Sequence, residues 1–403
     1  MEKILFALCF TLISWRSLNA QDSCNLLPEA HPVFHVNFVH PTADKPQSKL
    51  WFMDECWWAI LPDSTGPTLW QRTEKGWKEH PEIREKLRGI PGRADVWAES
   101  KKVTAVGVAD SSLTVFRLLK KTGSSPIEWN PDILVKLYPP LPSPIETATI
   151  AKDGNGNWWV AATTCLKVCV WFSSDDGKNW TGPSVLAEGI DKDDICTVTP
   201  LKSGVGVIWS DQVRDAVLMR VHQNGKPVKI WEKEEVVASG NKTADDHLNT
   251  VLAPDGTLWL ATKNSVDKAG QAQFVLRIRS VDGKWTNKPY LVLENRMKRP
   301  SRPIVVATED NSCVFVGHGD NDRSVPYPYN SNITFAPVDT ALSTVWKNPQ
   351  IVIAPDNKYN NVVHNVTGPK NPFPAKGPWI ILAGDAEGRV YEADLRKLVQ
   401  KKK

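Results

Sequence analysis

One unit of sequence recurs along this chain of 403 residues: a strand-like segment, a turn rich in Gly, Asp and Asn, a more apolar strand, and a further apolar run. Successive units start roughly 50 residues apart, the spacing expected of a repeat architecture. Helical periodicity is scarce, with short candidates only over residues 80–89 and 392–400. Clear copies begin at Ala94, Glu146, Asp194, His247 and Arg302, with an earlier copy at Lys49 and a stretched late copy at Asn361.

A repeat of this length with four strand segments per unit is typical of a β-propeller, in which each unit forms one blade. We therefore predict an all-β fold and favour seven blades. The apolar segment from Val33 is then available as the outer strand that completes the last blade. Six blades with irregular ends are the alternative, and two separate β-sandwiches fit the continuous repeat less well.

Both ends of the chain differ from the repeat. Residues 1–20 have the layout of a secretory signal peptide, because Lys3 precedes an apolar run too short to span a membrane and Ala20 is a small residue suited to cleavage. Residues 396–403 form a basic tail. We expect one propeller domain over residues 21–395 in a secreted or periplasmic protein.

The net charge of +4 comes from the two ends, so the body of the chain is close to neutral. A near-neutral body argues against nucleic acid as a partner, and no other apolar run is long enough for a membrane span. Of seven cysteines, Cys9 lies in the predicted signal peptide, and the others permit disulfides in an exported chain without fixing their pairing.

The stretch "WFSSDDGKNW" over residues 171–180 contains two adjacent carboxylates that resemble a catalytic pair. A turn explains them better. Asp175 can accept hydrogen bonds from turn amides, Gly177 can adopt a positive φ, and Trp180 can cover the blade core. We predict that Asp175 and Asp176 are structural.

The spacing Ser173-x-Asp175-x-Gly177-x-x-Trp180 resembles the Asp-box of sialidase-superfamily (BNR) β-propellers, with Asn179 where threonine is usual. In that family the motif is a hairpin turn between the two outer strands of a blade, away from the ligand. The resemblance therefore implies a sialidase-like propeller and a structural role for these residues.

Four further segments, "GRADVW", "IWSDQ", "ADDHLN" and "SRPIVV", look similar to uncharacterised secreted bacterial members of this superfamily. Sialidases bind the substrate carboxylate with three arginines and use an Asp acid/base with a Tyr nucleophile activated by Glu. Arg93 and Arg302 resemble two members of such an arginine set. The family's arginine-Ile-Pro motif is missing, and Tyr359 lies in the region of the family tyrosine without its context.

Every inner strand of a propeller begins at the same face, beside the central axis, so residues at these starts converge. Nearly every predicted inner strand begins with a charged or titratable group. These groups differ from unit to unit, which favours one asymmetric site over a lectin motif repeated in each blade. The residues are Arg93, Asp95, Glu146, Asp194, Asp246, His247, Arg302 and His364.

Four of the candidate residues have side chains suited to catalysis. Glu146 and Asp194 can serve as an acid and a base if their surroundings separate their pKa values. Asp246 can tune His247 for proton transfer, although adjacent strand residues point to opposite faces unless the strand starts after them.

The other candidates are predicted to bind substrate. Arg93, Lys263 and Arg302 can hold an anionic group by charge-assisted hydrogen bonds, while Trp209 and Gln212 can form a stacking platform with a hydrogen-bonding neighbour. The remaining predicted substrate-binding residues are Asp95 and His364.

Three functions remain open, because propellers support all of them. The preferred function is a glycoside hydrolase acting on an anionic glycan in the central funnel of a monomer. The alternatives are a polysaccharide lyase with His247 or His364 as base beside Arg302, and a non-catalytic glycan-binding or assembly propeller. No cofactor or metal is predicted. A divalent cation such as calcium stays open as an alternative, with Asp95, Asp194 and Asp246 as its oxygen ligands.

Overall fold

The computed structural model describes residues 30–121, 123, 127–295, 297–298, 300–320, 331–356, 362–363 and 365–400. Within these residues the chain forms seven antiparallel four-stranded sheets, one per sequence repeat. The fold is a seven-bladed β-propeller, so the prediction of seven blades is confirmed over six. The N-terminal strand β1 (Phe34–His35) is separate from the first blade.

The first six blades run in chain order, each from its inner strand outward. The first three consist of β2 (Leu50–Met53), β3 (Cys56–Asp63), β4 (Gly66–Thr73), β5 (Gly76–Glu79); β6 (Ala94–Glu99), β7 (Lys102–Val108), β8 (Leu113–Lys120), β9 (Trp129–Leu137); and β10 (Ala148–Lys152), β11 (Trp158–Thr164), β12 (Lys167–Ser173), β13 (Thr181–Glu188). The next three consist of β14 (Cys196–Leu201), β15 (Gly204–Asp211), β16 (Ala216–Gln223), β17 (Glu235–Ser239); β18 (Leu248–Leu252), β19 (Leu258–Lys263), β20 (Ala272–Arg279), β21 (Trp285–Val292); and β22 (Ser301–Ala307), β23 (Val314–Gly319), β24 (Ile333–Pro337), β25 (Gln350–Ile353).

The seventh blade joins the two ends of the chain. Its inner three strands are β26 (Asn365–Thr367), β27 (Ile380–Gly384) and β28 (Arg389–Asp394), and β1 is its outer strand. In the β1–β28 register, Phe34 pairs with Val390 and His35 with Arg389. The predicted closure of the ring by the segment from Val33 is therefore confirmed.

Apolar side chains fill the spaces between neighbouring blades. Because successive strand residues point to opposite sides of a sheet, adjacent tryptophans can serve two interfaces at once. On β11, Trp158 packs in the cluster shared with the second blade, whereas Trp159 packs in the cluster shared with the fourth. Both side chains are fully buried.

Hydrogen bonds from one inner strand to the next fix the spacing of these strands around the axis. A side-chain oxygen on an inner strand accepts from a backbone amide of the following blade. The amide–acceptor pairs are Val198 N to Thr149 Oγ1 at 2.8 Å, Val305 N to Asn249 Oδ1 at 3.0 Å and Ile150 N to Asp95 Oδ2 at 2.7 Å.

The turn between β12 and β13 has the hydrogen bonds expected of a structural motif. Asp175 Oδ1 accepts from the amide of Asn179 at 2.9 Å and from Ser173 Oγ at 2.9 Å, while Trp180 Nε1 donates to the carbonyl of Gly177 at 2.9 Å. Gly177 has a φ of 80°. The hydrogen bonds from Asn179 and Ser173 lower the pKa of Asp175 to about 2, and its structural role stays a prediction.

Helix is confined to short segments of the described chain. The predicted helix after His80 is α1 (Pro81–Lys86), and a 3₁₀ turn over Leu395–Leu398 covers the start of the predicted tail. No helix among the described residues has the length and apolar character needed to cross a membrane. The predicted signal peptide lies outside the described residues.

Candidate active site

Charged side chains from six blades meet where the inner strands begin. We call this group the axial cluster. Its members precede or begin inner strands, except Lys263, which ends β19. They are Asp44, Lys45, Arg93, Glu146, Asp193, Asp245, Asp246, His247, Lys263, Ser301 and Arg302.

Lys45 links two of the predicted catalytic carboxylates. Its ammonium contacts Asp246 and lies 3.5 Å from Glu146 Oε1, although 101 residues separate Lys45 from Glu146 in the chain. The Lys45 side chain is only 9% exposed, whereas that of Glu146 is 41% exposed, so the ammonium is the buried partner of this pair. Glu146 and Asp246 therefore lie on either side of one ammonium, and their catalytic roles stay predictions.

Arg93 is held by an acid from the segment before the first blade. Its Nε donates to Asp44 Oδ1 at 2.6 Å and its Nη2 donates to the backbone carbonyl of Glu146 at 2.7 Å. Burial alone would raise the pKa of Asp44, but the charges of Lys49 and Arg93 hold it below its usual value. Arg93 thus lies in the cluster with its charge already neutralised.

The imidazole of His247 is oriented by two carboxylates. Its Nδ1 lies 2.6 Å from Asp245 Oδ1 and 2.5 Å from Asp246 Oδ1. Both contacts are possible because β18 begins only at Leu248, so residues 245–247 precede the alternating part of the strand. The strand therefore starts after Asp246 and His247, which is the condition under which these adjacent side chains can interact.

The other ring nitrogen of His247 faces a hydroxyl. Its Nε2 lies 3.0 Å from Ser301 Oγ, at the first residue of β22. Asp245 is fixed in turn, because its Oδ2 lies 3.1 Å from Lys263 Nζ and accepts a hydrogen bond from Ser265 Oγ at 2.9 Å.

The cluster moves the pKa values of two carboxylates in opposite directions. Burial raises the pKa of Asp193, and the negative charges of Asp246 and Glu146 raise it further, with Lys45 opposing them. Burial would also raise the pKa of Asp246, but its hydrogen bond to His247 and the neighbouring positive charge take that pKa below its usual range. Asp193 therefore tends to hold its proton up to a higher pH than Asp246 does.

Arg302 is a cation of the cluster with two guanidinium nitrogens that lack a hydrogen-bond partner among the described residues. Its Nε and Nη1 are buried and have no hydrogen-bond partner within the described part of the chain. Burial lowers the pKa of this guanidinium, while the charges of Asp246 and Glu146 partly offset the effect. Its backbone φ of 60° is in the left-handed region, which is strained for a residue with a side chain.

A surface groove of about 420 Å³ begins at the cluster and extends over the third blade and the loop that leads to the fourth. Glu146 and Asp193 line it together with residues of the β11–β12 turn and of the loop before β14. A second, smaller cavity of about 20 Å³ lies within the cluster, lined in part by Asp44, Lys45, His247 and Arg302.

Two predicted site residues face away from the cluster, and their assignments are wrong. Asp194 is buried with its Oδ2 accepting from the amides of Asp191 at 2.7 Å and Gln212 at 3.1 Å, so its neighbour Asp193 takes its place. Asp95 is fully buried, accepts two backbone amides and pairs with Lys370, which leaves no accessible oxygen for a ligand or calcium.

Trp209 is also wrong as a stacking platform, because the side chain is fully buried in the core between the third and fourth blades. Gln212 follows β15 at the cluster face, and its side-chain nitrogen is buried without a partner among the described residues. Its binding role stays a prediction. His364 and Tyr359 lie outside the described residues.

Several members of the cluster were not predicted from the sequence. Asp44 and Lys45 precede the first inner strand, and the repeat pattern started that blade at Lys49. The spacing of Asp245 two residues before His247 was an available signal, because alternate residues share a face. Ser301 was not predicted because it precedes Arg302, the residue at which the repeat pattern begins the sixth unit.

Asp245, Asp246 and His247 place potential ligand atoms within 4.8 Å of one another. Two ammonium groups already contact these carboxylates, from Lys45 and Lys263. Positive charges so close to the oxygens oppose a divalent cation, so the trio fits an ion-paired network better than a metal centre.

All five cysteines within the described residues are unpaired. They lie at different depths in the blades, with Cys169 and Cys196 buried. Burial raises the pKa of the Cys169 thiol to about 12, which makes it unreactive at neutral pH.

Solved structures similar to this chain are propellers of diverse origin. A triple arginine-to-alanine mutant of AofleA from Arthrobotrys oligospora has a TM-score of 0.50 at 11% identity, covering 80% of this chain and 90% of that one. Penicillium chrysogenum alpha-L-arabinanase complexed with arabinobiose has a TM-score of 0.43 at 12% identity, with coverages of 77% and 99%. Trypanosoma rangeli sialidase in complex with sialic acid has a TM-score of 0.40 at 11% identity, with coverages of 90% and 75%.

At these identities the likeness shows the fold alone. No protein-family model and no curated protein matches the sequence. The case for function therefore depends on the axial cluster itself.

Proposed function

We propose that the protein is an exported carbohydrate-active hydrolase that cleaves glycosidic bonds of an anionic glycan at the axial cluster. The observation that carries this proposal is the axial cluster itself, in which the charges of Asp246 and Glu146 act on both Asp193 and Arg302, beside an open groove that Glu146 and Asp193 line. Glycoside hydrolysis needs a proton donor and an ionised carboxylate at the scissile bond.

Asp193 is the proposed general acid. It lines the groove, and its pKa is raised, the direction that a general acid needs. Asp246 is the proposed ionised partner, since its contacts with Lys45 and His247 favour the carboxylate form. Glu146 supports both roles, because its negative charge raises the pKa of Asp193 and its carboxylate forms an ion pair with Lys45.

Arg302 is the proposed anchor for a carboxylate or sulfate of the glycan. Its buried Nε and Nη1 lack partners in the described chain, and a charged acceptor on either side of the guanidinium would form a charge-assisted hydrogen bond with one of them. The other cations of the cluster are less available, because Arg93 is bonded to Asp44 and Lys263 to Asp245.

The test is a screen of the purified protein against anionic and matched neutral polysaccharides, reading new reducing ends and the ultraviolet absorbance of unsaturated uronate products together. We expect new reducing ends from an anionic glycan without that absorbance, and a loss of about 10²-fold or more in Asp193→Asn. Asp282→Asn is the matched control, because that exposed carboxylate lies in the turn between β20 and β21.

Other outcomes would replace the proposal with one of the two alternatives. Unsaturated products would identify a lyase and would shift the proton-transfer role to His247. Binding of the glycan without any new ends would identify a non-catalytic propeller. Cleavage that survives in Asp193→Asn would remove the proposed acid.

A further inference from the structure

Three side chains of the axial cluster form a chain of contacts that glycoside hydrolysis does not use. Ser301 Oγ lies 3.0 Å from His247 Nε2, and His247 Nδ1 lies 2.6 Å from Asp245 Oδ1. A hydroxyl, an imidazole and a carboxylate in this order and at these distances make up the nucleophile, base and orienting acid of acyl transfer. The three residues come from two blades and share no sequence motif.

The carboxylates determine where the protons of this chain lie. Ionised oxygens only accept, so Nδ1 of His247 must carry the proton that faces Asp245 and Asp246. In the neutral imidazole this leaves Nε2 as the acceptor for the Ser301 hydroxyl. The ring is buried and held on both sides, so the base is already oriented toward Oγ.

The surroundings supply access and positive charge. Ser301 is partly exposed at the start of β22, whereas His247 and Asp245 are buried beneath it. The next residue, Arg302, has a strained φ of 60° and shares the small axial cavity with His247. One of its unpartnered nitrogens, Nε or Nη1, can donate to an oxyanion that forms at an attacked carbonyl.

We propose that Ser301 is the nucleophile of an ester hydrolase activity at this site, with His247 as its base and Asp245 as the positioning acid. Its substrate class is a carboxylic ester, such as an O-acyl group on a sugar. The activity goes beyond the proposed glycosidase, because the bond that is cleaved and the attacking group both differ.

The reaction is balanced with water as the only co-reactant. Oγ bonds to the ester carbonyl carbon while its proton moves to Nε2; the carbon–alkoxide bond then breaks, and Nε2 returns the proton to the leaving alcohol. Water next bonds to the acyl carbon and gives a proton to Nε2. The carbon–Oγ bond breaks, and Oγ regains that proton as the carboxylic acid leaves.

The test uses para-nitrophenyl acetate as substrate and a fluorophosphonate as a covalent probe on the purified full chain. We expect hydrolysis of the ester, one adduct per chain located on Ser301 by peptide mass spectrometry, and a loss of about 10³-fold or more in Ser301→Ala. His247→Gln should also lose the adduct, because the hydroxyl is then no longer deprotonated. Ser312→Ala, in the turn between β22 and β23 at the other end of the same blade, is the matched control.

Circular dichroism and the thermal midpoint of each variant separate a missing nucleophile from a misfolded chain. Ser301→Cys provides a second check, since a folded variant should be alkylated at this position by iodoacetamide faster than any other cysteine. Absence of ester hydrolysis in the wild-type protein, or an unchanged rate in Ser301→Ala, would overturn the proposal. Released nitrophenol and new reducing ends are independent readouts, so the esterase and the glycosidase can fail separately.

Discussion

Asp193 and Asp246 share one neighbourhood, yet their surroundings act on them in opposite ways. Asp193 is exposed and gains negative neighbours, while Asp246 gains an imidazole and an ammonium within contact distance. Separated pKa values of this kind allow one carboxyl to donate a proton while the other stays ionised. The difference arises from the partners of each residue, since the two side chains are chemically identical.

A pH dependence follows from this separation. Since the pKa of Asp193 is raised, the protonated acid persists above the usual Asp range, and glycoside cleavage should fall as the pH rises through that raised value. The groups that set it are Asp246, Glu146 and Asp245, which raise it, and Lys45, which lowers it. In Lys45→Met the alkaline limb of the kcat/KM profile should therefore move to higher pH; an unmoved limb would contradict the assignment.

Arg302 should determine the preference for anionic substrates. A charge-assisted hydrogen bond contributes about 1.5–3 kcal/mol, so Arg302→Ala should raise KM for the anionic glycan by roughly 10- to 100-fold. Arg302→Lys should recover only part of that loss, because an ammonium keeps the charge but does not place a donor where the planar guanidinium does. The measurement is KM for an anionic glycan and for its neutral analogue; equal losses on both would contradict an anion-binding role.

At the scale of single residues, the sequence predicted which strand starts converge but not which side chains face the site. The repeat placed Arg93, Glu146 and Arg302 at converging strand starts, and the structure brings them together. It could not distinguish Asp193 from Asp194, because the direction of a side chain in the loop before β14 depends on that loop's hydrogen bonds. The backbone conformation of that loop depends on tertiary contacts, which the repeat pattern does not show.

At the scale of elements, the second strand of a blade has to fill two interfaces. β11 meets this need with adjacent tryptophans, and β3 does so with Trp57 and Trp58, which pack toward the seventh and second blades. This arrangement was readable in the sequence, because two large apolar residues in succession indicate a strand buried on both faces.

Removing one of these tryptophans should weaken a whole blade interface. Trp159→Ala should lower the free energy of unfolding by about 3–5 kcal/mol, since the fully buried indole leaves a cavity between the third and fourth blades. The matched control is Trp180→Ala, where the side chain is partly exposed in the β12–β13 turn and a smaller loss is expected. Urea unfolding midpoints measure both, and equal losses would contradict the packing argument.

At the scale of the whole molecule, the ring is closed by a strand of two residues. β1 pairs with β28, and Phe34 adds to this contact by stacking on Trp70 of the first blade at 4.2 Å between ring centroids. The N-terminal segment therefore connects the last blade to the first. Without it, β28 would present an unpaired edge to solvent.

Phe34→Ala should therefore destabilise the closure. We expect a loss of about 2 kcal/mol and more light scattering on heating, because the exposed strand edge promotes association. Val39→Ala, at an exposed position just after the same segment, should behave as the wild type. Equal thermal midpoints for the two variants would show that β1 contributes little to ring stability.

The number of blades and the closing strand were predictable because a repeat period constrains the whole chain at once. The Ser301–His247–Asp245 contacts were not, since they join positions that the repeat treats as separate strand starts. Asp44 and Lys45 were missed for a related reason: they precede the first repeat and reach the axis only when the ring has formed.

The most direct test of the axial site is a crystal structure of Asp193→Asn with an anionic oligosaccharide that the wild-type protein cleaves. We predict that the sugar lies in the groove beside Glu146, with its anionic group within hydrogen-bonding distance of Arg302 Nε or Nη1 and its glycosidic oxygen facing the substituted position. An oligosaccharide bound instead at the outer groove lined by Arg220, Lys229 and Trp231 would contradict the account.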